Sequence, residues 1–245
     1  MSERIWIIGA SDGIGRALAL AYAQRGARLV LSARGTEALQ ELARLTGGEV
    51  VPVDVSDRAA LDRAAETIAA GGPLDRILHL AAIYDPGRIA ALDPDKAAQI
   101  VTVNLTGSFH IAQIGPPLLC SGGQLALTGS VAGYVGLPQG QIYSATKAGV
   151  INLAESLRAE RPDLDIRLIC PGFVDTRLTA QNDFRMPAIV TPDAAAEAIL
   201  KGLDRTGFEV HFPRRLTVTL KALRALPYAL SLRLTRRLNR DEEVR

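Results

Sequence analysis

The 245-residue sequence has only two cysteines, Cys120 and Cys170, and neither lies in a spacing typical of a metal or redox site. Catalysis by cysteine is therefore not expected, and so few thiols fit a cytoplasmic protein. No apolar stretch reaches the roughly 18 residues of a membrane span. The first predicted strand begins at Arg4, which leaves no room for a signal peptide. Because no linker, repeat or low-complexity segment interrupts the chain, its length predicts one α/β domain.

Aromatic residues and net charge are also low, at 4% of the chain and +2 from 28 basic and 26 acidic residues. The charge is unevenly distributed, because residues 214–245 contain nine basic and three acidic residues. Tyr228 is the sole aromatic residue among these cations. Nucleic acid is therefore not an expected partner, since binding to single strands relies on aromatic stacking.

Strand and helix patterns alternate along residues 1–213. This alternation predicts a Rossmann-type, doubly wound parallel sheet of about seven strands. Ligands of such sheets bind beyond the carboxyl ends of the strands. Strands are predicted at 5–8, 28–34, 49–53, 76–80, 123–128, 164–169 and 208–212, and helices at 16–23, 57–70, 93–112, 143–160 and 192–204. The residues expected at the carboxyl edge, because each follows a strand, are Gly9, Asp54, Ala81, Ser130 and Pro171.

A glycine-rich turn follows the first predicted strand and precedes an apolar helix. Gly9, Gly13 and Gly15 are spaced G-x-x-x-G-x-G. Glycines in this position allow a tight turn and close approach of the backbone to a pyrophosphate, and the start of the helix offers free N–H groups. The turn therefore predicts a dinucleotide site.

Arg34 ends the second predicted strand and bears on the choice of dinucleotide. An acidic residue here would bind the ribose hydroxyls of NAD, whereas an arginine suits the 2′-phosphate of NADP. NADP(H) is therefore the preferred cofactor, and NAD(H) is possible. Asp12, inside the glycine turn, adds negative charge and weakens this preference slightly.

Tyr143 and Lys147 lie four residues apart, one turn apart on the same side of a predicted helix. A nearby ammonium favours ionisation of a phenol, whose unperturbed pKa is near ~10. Ser130, thirteen residues upstream, could hydrogen-bond a substrate oxygen beside the phenol. The three residues together predict proton transfer to a carbonyl or from an alcohol.

These motifs together resemble the classical short-chain dehydrogenase/reductase family over roughly residues 4–213. The resemblance implies adenine contacts from Asp54-Val55, a water-positioning role for Asn104, and a segment from Pro171 to Thr176 beside the nicotinamide. It also implies that Lys147 holds the nicotinamide ribose and that the protein is a homodimer or homotetramer. The implied catalytic residues are Asn104, Ser130, Tyr143 and Lys147. The implied cofactor-binding residues are Gly9, Ser11, Asp12, Gly13, Ile14, Gly15, Arg34, Asp54, Val55, Ala81, Tyr143, Lys147, Pro171, Gly172, Val174 and Thr176.

The sequence departs from this family at the end of the fourth strand. The family usually has Asn-Asn-Ala-Gly there, and this chain has His79-Leu80-Ala81-Ala82. The loss of the amides is expected to weaken the bracing of the central sheet. His79 is interpreted as a packed residue at a strand end rather than a catalyst.

The predicted activity is the interconversion of a ketone or aldehyde and an alcohol, with a small-molecule substrate of largely apolar body. A mobile lid is predicted from Asp175 to Val190, and the opposite edge from 83–88 and 133–141. The apolar residues that favour such a substrate are Leu178, Phe184, Met186, Pro187 and Ile189 in the lid and Val135, Leu137 and Pro138 opposite. One alternative is a non-catalytic dinucleotide-binding sensor or scaffold. Another is a different Rossmann enzyme, such as a methyltransferase, against which the proton-transfer residues argue.

Residues 214–245 are predicted to form a basic helical extension of the core at 1–213, broken at Pro227. Its leucines form two stripes, one of Leu216, Leu220 and Leu223 and one of Leu230, Leu234 and Leu238. Docking of both stripes on the protein, near the substrate cleft or across a dimer contact, is the favoured interpretation. A membrane surface with anionic lipid is the alternative partner.

Overall fold

The computed structural model describes residues 2–237, and these contain a seven-stranded parallel sheet in the order β3-β2-β1-β4-β5-β6-β7. This arrangement confirms the predicted fold class. The strand order reverses between β1 and β4, which places a crevice at the carboxyl ends of these two strands. The strands are β1 Arg4–Ile8, β2 Arg28–Ser32, β3 Glu49–Val50, β4 Leu74–His79, β5 Leu119–Thr128, β6 Asp165–Pro171 and β7 Glu209–Phe212.

Helices cover both faces of the sheet, and alternate residues of β1 pack into two separate cores. Trp6 and Ile8 belong to one apolar cluster, and Ile5 and Ile7 belong to the other. A strand buried on both faces reads as a continuous apolar run, which explains the sequence of β1. The helices are α1 Gly13–Gln24, α2 Thr36–Thr46, α3 Arg58–Ala70, α4 Pro94–Val101, α5 Gly107–Ile114, α6 Gln141–Glu160, α7 Pro192–Leu203, α8 Arg214–Ala225 and α9 Tyr228–Arg236.

Two helical regions differ from the sequence prediction. Helix α2 was not predicted, although it buries Leu39 and Leu42 against the sheet. The single helix predicted at 93–112 is instead α4 and α5, joined by a π-helical turn at Thr102–Thr106. The π turn matters for the site, because it carries Asn104.

The first leucine stripe of the extension packs on the core. Leu220 is buried, and Leu216 and Leu223 lie against the same apolar cluster. Leu216 also approaches Gly172, because a Cβ added there would lie 3.0 Å from Leu216 Cδ2. Helix α8 therefore continues the core beside the predicted nicotinamide segment, and it ends before Pro227 as predicted.

Leu230 and Leu234 of the second leucine stripe are not buried within one subunit, so the predicted docking of this stripe is not seen there. Leu230 and Leu234 are 51% and 42% exposed, and Leu238 lies outside the described residues. Helix α9 instead buries Ser231 and Thr235, whose hydroxyls bond to carbonyls of their own helix at 3.4 and 3.2 Å. These small side chains can be buried because their hydroxyl groups make hydrogen bonds within the helix. No helix between residues 2 and 237 has the length and apolar character of a membrane span.

Candidate active site

A cavity of about 670 Å³ lies at the carboxyl edge of β1, β2 and β4. Its walls come from several separate segments of the chain, as the sheet topology requires. Ten of the predicted cofactor-binding residues line this cavity: Gly9, Ser11, Asp12, Ile14, Gly15, Arg34, Asp54, Val55, Ala81 and Thr176.

The glycine turn has the close backbone packing expected of a dinucleotide site. Gly9 has φ +88°, and a Cβ added at Gly15 would lie 2.0 Å from the carbonyl oxygen of Gly9. Larger residues are excluded at both positions. Asp12 makes no side-chain cap at the start of α1, so N–H groups of the first turn remain available to an anion. This turn fits the pyrophosphate of a dinucleotide.

Arg177 is a feature of this cavity that the sequence analysis missed. Its Nε lies 2.5 Å from Oδ2 of Asp12, so the segment after β6 is joined to the glycine turn by an ion pair. Thr176 approaches the same turn, since a Cβ added at Gly13 would lie 2.8 Å from Thr176 Cγ2. The only sequence signal was the position of Arg177 next to Thr176.

A second cavity, of about 190 Å³, adjoins the first and contains Ser130, Tyr143 and Lys147. The end of β6 and the segment after it complete its wall with Pro171, Gly172, Val174 and Thr176. The structure therefore brings three of the four predicted catalytic residues into one space. Asn104 lies behind this space, and neither Asn104 nor Gly13 lines either cavity.

The environment of Tyr143 differs from the one expected from its spacing to Lys147. Burial raises the pKa of Tyr143 to about 12, and a hydrogen bond with Ser130 offsets only part of that rise. Burial also lowers the pKa of Lys147 to about 8. The ammonium of Lys147 lies 5.7 Å from the centroid of the Tyr143 ring and donates a hydrogen bond to the carbonyl of Thr128 at 2.8 Å. Desolvation therefore dominates the shift at Tyr143, and the lowered phenol pKa expected from its spacing to Lys147 is not found.

Asn104 and His79 fix the π turn to the end of β4. The Asn104 amide pairs with both backbone groups of Ile83, accepting from N at 2.8 Å and donating to O at 2.9 Å. Ser108 donates to the carbonyl of Asn104 at 2.6 Å, and its hydroxyl lies 3.1 Å from Nε2 of His79. Burial lowers the pKa of His79 to about 3, so the imidazole is neutral. His79 is a packed residue, as interpreted, and it supplies bracing that the lost amides were expected to remove.

Tyr84 is a second residue that the sequence analysis did not single out, although it lies within the predicted edge at 83–88. Its ring contacts that of Tyr143 edge-on, with centroids 4.8 Å apart. Its hydroxyl donates to Oδ1 of Asn182 at 2.9 Å, which links the end of β4 to the predicted lid. Tyr84 therefore lies where the two cavities meet, and it lines both.

The predicted lid and its opposite edge contribute only part of their apolar residues. Leu178 and Phe184 line the smaller cavity, and Met186 contacts the amide of Asn182. Pro187 and Ile189 are exposed instead. Across from the lid, Leu137 and Pro138 line the cavity, while Val135 packs into the core.

The buried ammonium of Lys147 predicts a pH dependence of stability. Its pKa is about 8 in the folded protein and 10.5 in the unfolded chain, so the unfolded chain binds more protons between these values and stability rises with pH there. The gain is about 1.4 kcal/mol for each unit between the two pKa values. Urea unfolding from pH 7 to 9 should show this rise in the wild type, and Lys147→Met should lose it; above pH 9 the buried thiol of Cys170, whose pKa is raised by burial, opposes the rise.

Lys201→Met is the matched control, because Lys201 is exposed on α7. It should retain the rise seen in the wild type. The prediction fails if Lys147→Met and the wild type have parallel stability profiles across this range.

Comparison with protein families places these features in context. The model of a family described as short chain dehydrogenase matches residues 3–186. An uncharacterized oxidoreductase of Myxococcus xanthus is 34% identical, over 97% of this chain and 98% of the relative. The family match therefore covers most of the core, and the relative spans the extension as well.

Two solved structures share this fold. A short chain dehydrogenase from Burkholderia cenocepacia in complex with NADP is 25% identical, with a TM-score of 0.85 over 95% of this chain and 97% of that chain. An alcohol dehydrogenase from Thermococcus sibiricus complexed with 5-hydroxy-NADP is 26% identical, with a TM-score of 0.79 over 86% of this chain and 96% of that chain.

In the part of this chain that the structure describes, no group of His, Cys, Asp or Glu is placed to hold a metal ion.

Proposed function

Because this chain belongs to the short-chain dehydrogenase/reductase family and is an oxidoreductase that uses NAD(P), we propose that it interconverts a ketone or aldehyde and the corresponding alcohol. One observation carries this proposal. Ser130, Tyr143 and Lys147 share a small cavity that adjoins the larger cavity at the glycine turn. A carbonyl in the small cavity would therefore lie beside both a proton donor and the cofactor.

When bound, NAD(P)H supplies hydride to the carbonyl carbon. Ser130 then orients the carbonyl oxygen by a hydrogen bond, and Tyr143 donates a proton to the same oxygen. Burial raises the pKa of Tyr143 to about 12, so the phenol is protonated at neutral pH and has a proton to donate. Lys147, held by Thr128, stabilises the resulting phenolate.

Asn104 lies outside the cavity that holds these three residues, and its proposed role is to position a water. Its side chain is occupied by both backbone groups of Ile83, so its position is fixed relative to the end of β4. Its backbone carbonyl accepts a hydrogen bond from the Ser108 hydroxyl. We propose that Asn104 positions a water that relays protons to Lys147.

The proposed preference is for NADP(H) over NAD(H). Arg34 lines the larger cavity at the end of β2, where a 2′-phosphate would need a cation. Asp12 was expected to oppose this preference, but its ion pair with Arg177 compensates its charge. The negative charge of Asp12 therefore opposes this preference less than the sequence alone suggested.

Nucleotide binding followed by turnover tests the proposed function. Thermal shift with NADPH and NADH should show stabilisation that is larger for NADPH at equal concentration. A panel of aldehydes and ketones should then deplete NADPH absorbance. Binding of NADPH without turnover of any carbonyl or alcohol would favour a dinucleotide sensor instead.

The exposed leucines of α9 predict a homo-oligomer. A single soluble subunit rarely leaves such a stripe uncovered, and Leu230 and Leu234 are about half exposed. We propose that a second copy of this chain covers them. Light scattering should give a dimer or tetramer for the wild type, and the double variant Leu230→Glu/Leu234→Glu should fall to half the mass or less.

Val218→Glu is the matched control, because Val218 is an exposed apolar residue on α8. It should keep the wild-type mass. Salt-sensitive binding of the intact monomer to anionic vesicles, lost in the double variant, would contradict the oligomer and indicate a lipid surface instead.

A further inference from the structure

Aromatic residues are scarce in this chain and concentrated at the proposed site. The sequence has five Phe, five Tyr and one Trp, and four of these line the cavity that contains the proton donor. They are Tyr84, Tyr143, Phe173 and Phe184. These four lie outside the two cores, where five of the other aromatic residues pack, namely Trp6, Tyr22, Tyr134, Phe208 and Phe212.

The four rings form two edge-to-face pairs from four segments of the chain. Tyr84 and Tyr143 have centroids 4.8 Å apart and an interplanar angle of 65°. Phe173 and Phe184 have centroids 5.7 Å apart and an angle of 81°. Tyr84, Phe173 and Phe184 are only partly buried, so part of each ring surface faces the cavity. A third ring placed here would contact rings that are already oriented.

The charge of the cavity favours a neutral substrate over an ionised one. Lys147 is the one charged side chain in its described lining, and its ammonium bonds to the Thr128 carbonyl. A carboxylate or ammonium on the substrate would lose water without gaining an opposite charge beyond Lys147, which is costly. The rest of the lining is apolar, hydroxyl or amide.

The size of the cavity suits a single ring. Its volume is about 190 Å³, and an apolar cavity of about 150 Å³ accommodates benzene; a nicotinamide beside Pro171 to Thr176 would take part of this space, so at most one substrate ring can enter. A benzene ring with a one-carbon or two-carbon carbonyl group therefore fits, whereas a fused polycyclic body would require the lid to move.

We infer that the substrate is a neutral aldehyde or ketone with an aromatic ring attached to its carbonyl carbon. This inference rests on the proposed carbonyl chemistry of the same site. In the reductive direction, hydride from NAD(P)H adds to the carbonyl carbon, the C=O π bond breaks, and the oxygen takes the Tyr143 proton. The cofactor is oxidised to NAD(P)⁺, and the product is a benzylic alcohol.

Paired substrates of similar size test the ring preference. Benzaldehyde should be reduced with a kcat/KM roughly tenfold above that of cyclohexanecarbaldehyde, because ring–ring contacts add to ordinary burial only for the aromatic substrate. Phe184→Leu should bring the ratio of the two kcat/KM values down by most of that factor. Comparing ratios between enzymes removes the different intrinsic reactivities of the two aldehydes.

Phe109→Leu is the matched control, since Phe109 is exposed on α5 and does not line the cavity. Its ratio should equal that of the wild type. A ratio unchanged by Phe184→Leu, or turnover of aliphatic carbonyls only, would overturn the aryl preference and leave the oxidoreductase assignment intact. Binding of NADPH with no turnover of either class would overturn the proposed function itself.

Discussion

Tyr143→Phe is expected to lower kcat for carbonyl reduction by about 10²–10⁴-fold, the largest effect predicted for this protein. The substitution removes the phenol hydroxyl and keeps the ring, so contact with Tyr84 is preserved. Within the described lining of the cavity, no carboxyl or imidazole group could replace it as a proton donor. Turnover of an aldehyde with NADPH, followed by absorbance, measures the loss.

The affinity of Tyr143→Phe for NADPH shows whether the variant has lost only the proton donor or has also lost the folded cofactor site. NADPH titration of Tyr143→Phe should give a Kd within a few-fold of the wild type, because the larger cavity is lined by other residues. Tyr228→Phe is the matched control, since Tyr228 is 83% exposed on α9, and it should turn over normally. More than about half of wild-type activity in Tyr143→Phe would contradict its assignment as the acid.

The topology and the edge of the sheet that carries the site could be predicted from the sequence. Continuous apolar runs such as Ile5 to Ile8 identify strands buried on both faces, and residues that follow parallel strands must meet at one edge. Gly9, Asp54 and Ser130 meet there for this reason. The prediction needed only local patterns and the rules of chain connection.

The electrostatics of the proton donor could not be predicted in the same way. The spacing of Tyr143 and Lys147 gives their separation on a helix, but their pKa values depend on how deeply other segments bury them. Burial moves both values toward the uncharged form. The sequence identified the pair, whereas only the packed structure gives the balance between desolvation and charge.

Contacts between distant segments were also beyond the sequence. Tyr84 meets Asn182 across 98 residues, and Arg177 meets Asp12 across 165 residues. Neither pair belongs to a local motif. Helix α9 shows the same limit, because periodicity indicated a leucine stripe but could not show that Ser231 and Thr235 would face the body instead.

Arg34→Asp is expected to weaken NADPH binding by about one to two decades, because a charge-assisted contact with phosphate is worth roughly 1.5–3 kcal/mol. The substitution also places an anion where the 2′-phosphate would lie. NADH has no such phosphate, so its affinity should change much less, and the preference between the cofactors should fall or reverse. Fluorescence or calorimetric titration gives the Kd values for NADPH and NADH. Their ratio measures the cofactor preference of each variant.

Arg28→Asp makes the same change of charge at the opposite end of β2, on an exposed residue outside the cavity. It controls for the change in net charge, and its ratio of NADPH to NADH affinity should match the wild type. The charge of Asp54 interacts with that of Arg34, and this interaction is kept in Arg28→Asp and lost in Arg34→Asp. If Arg34→Asp weakens both nucleotides equally, Arg34 contributes only general attraction, and the discrimination between NADP(H) and NAD(H) must come from other residues of the cavity.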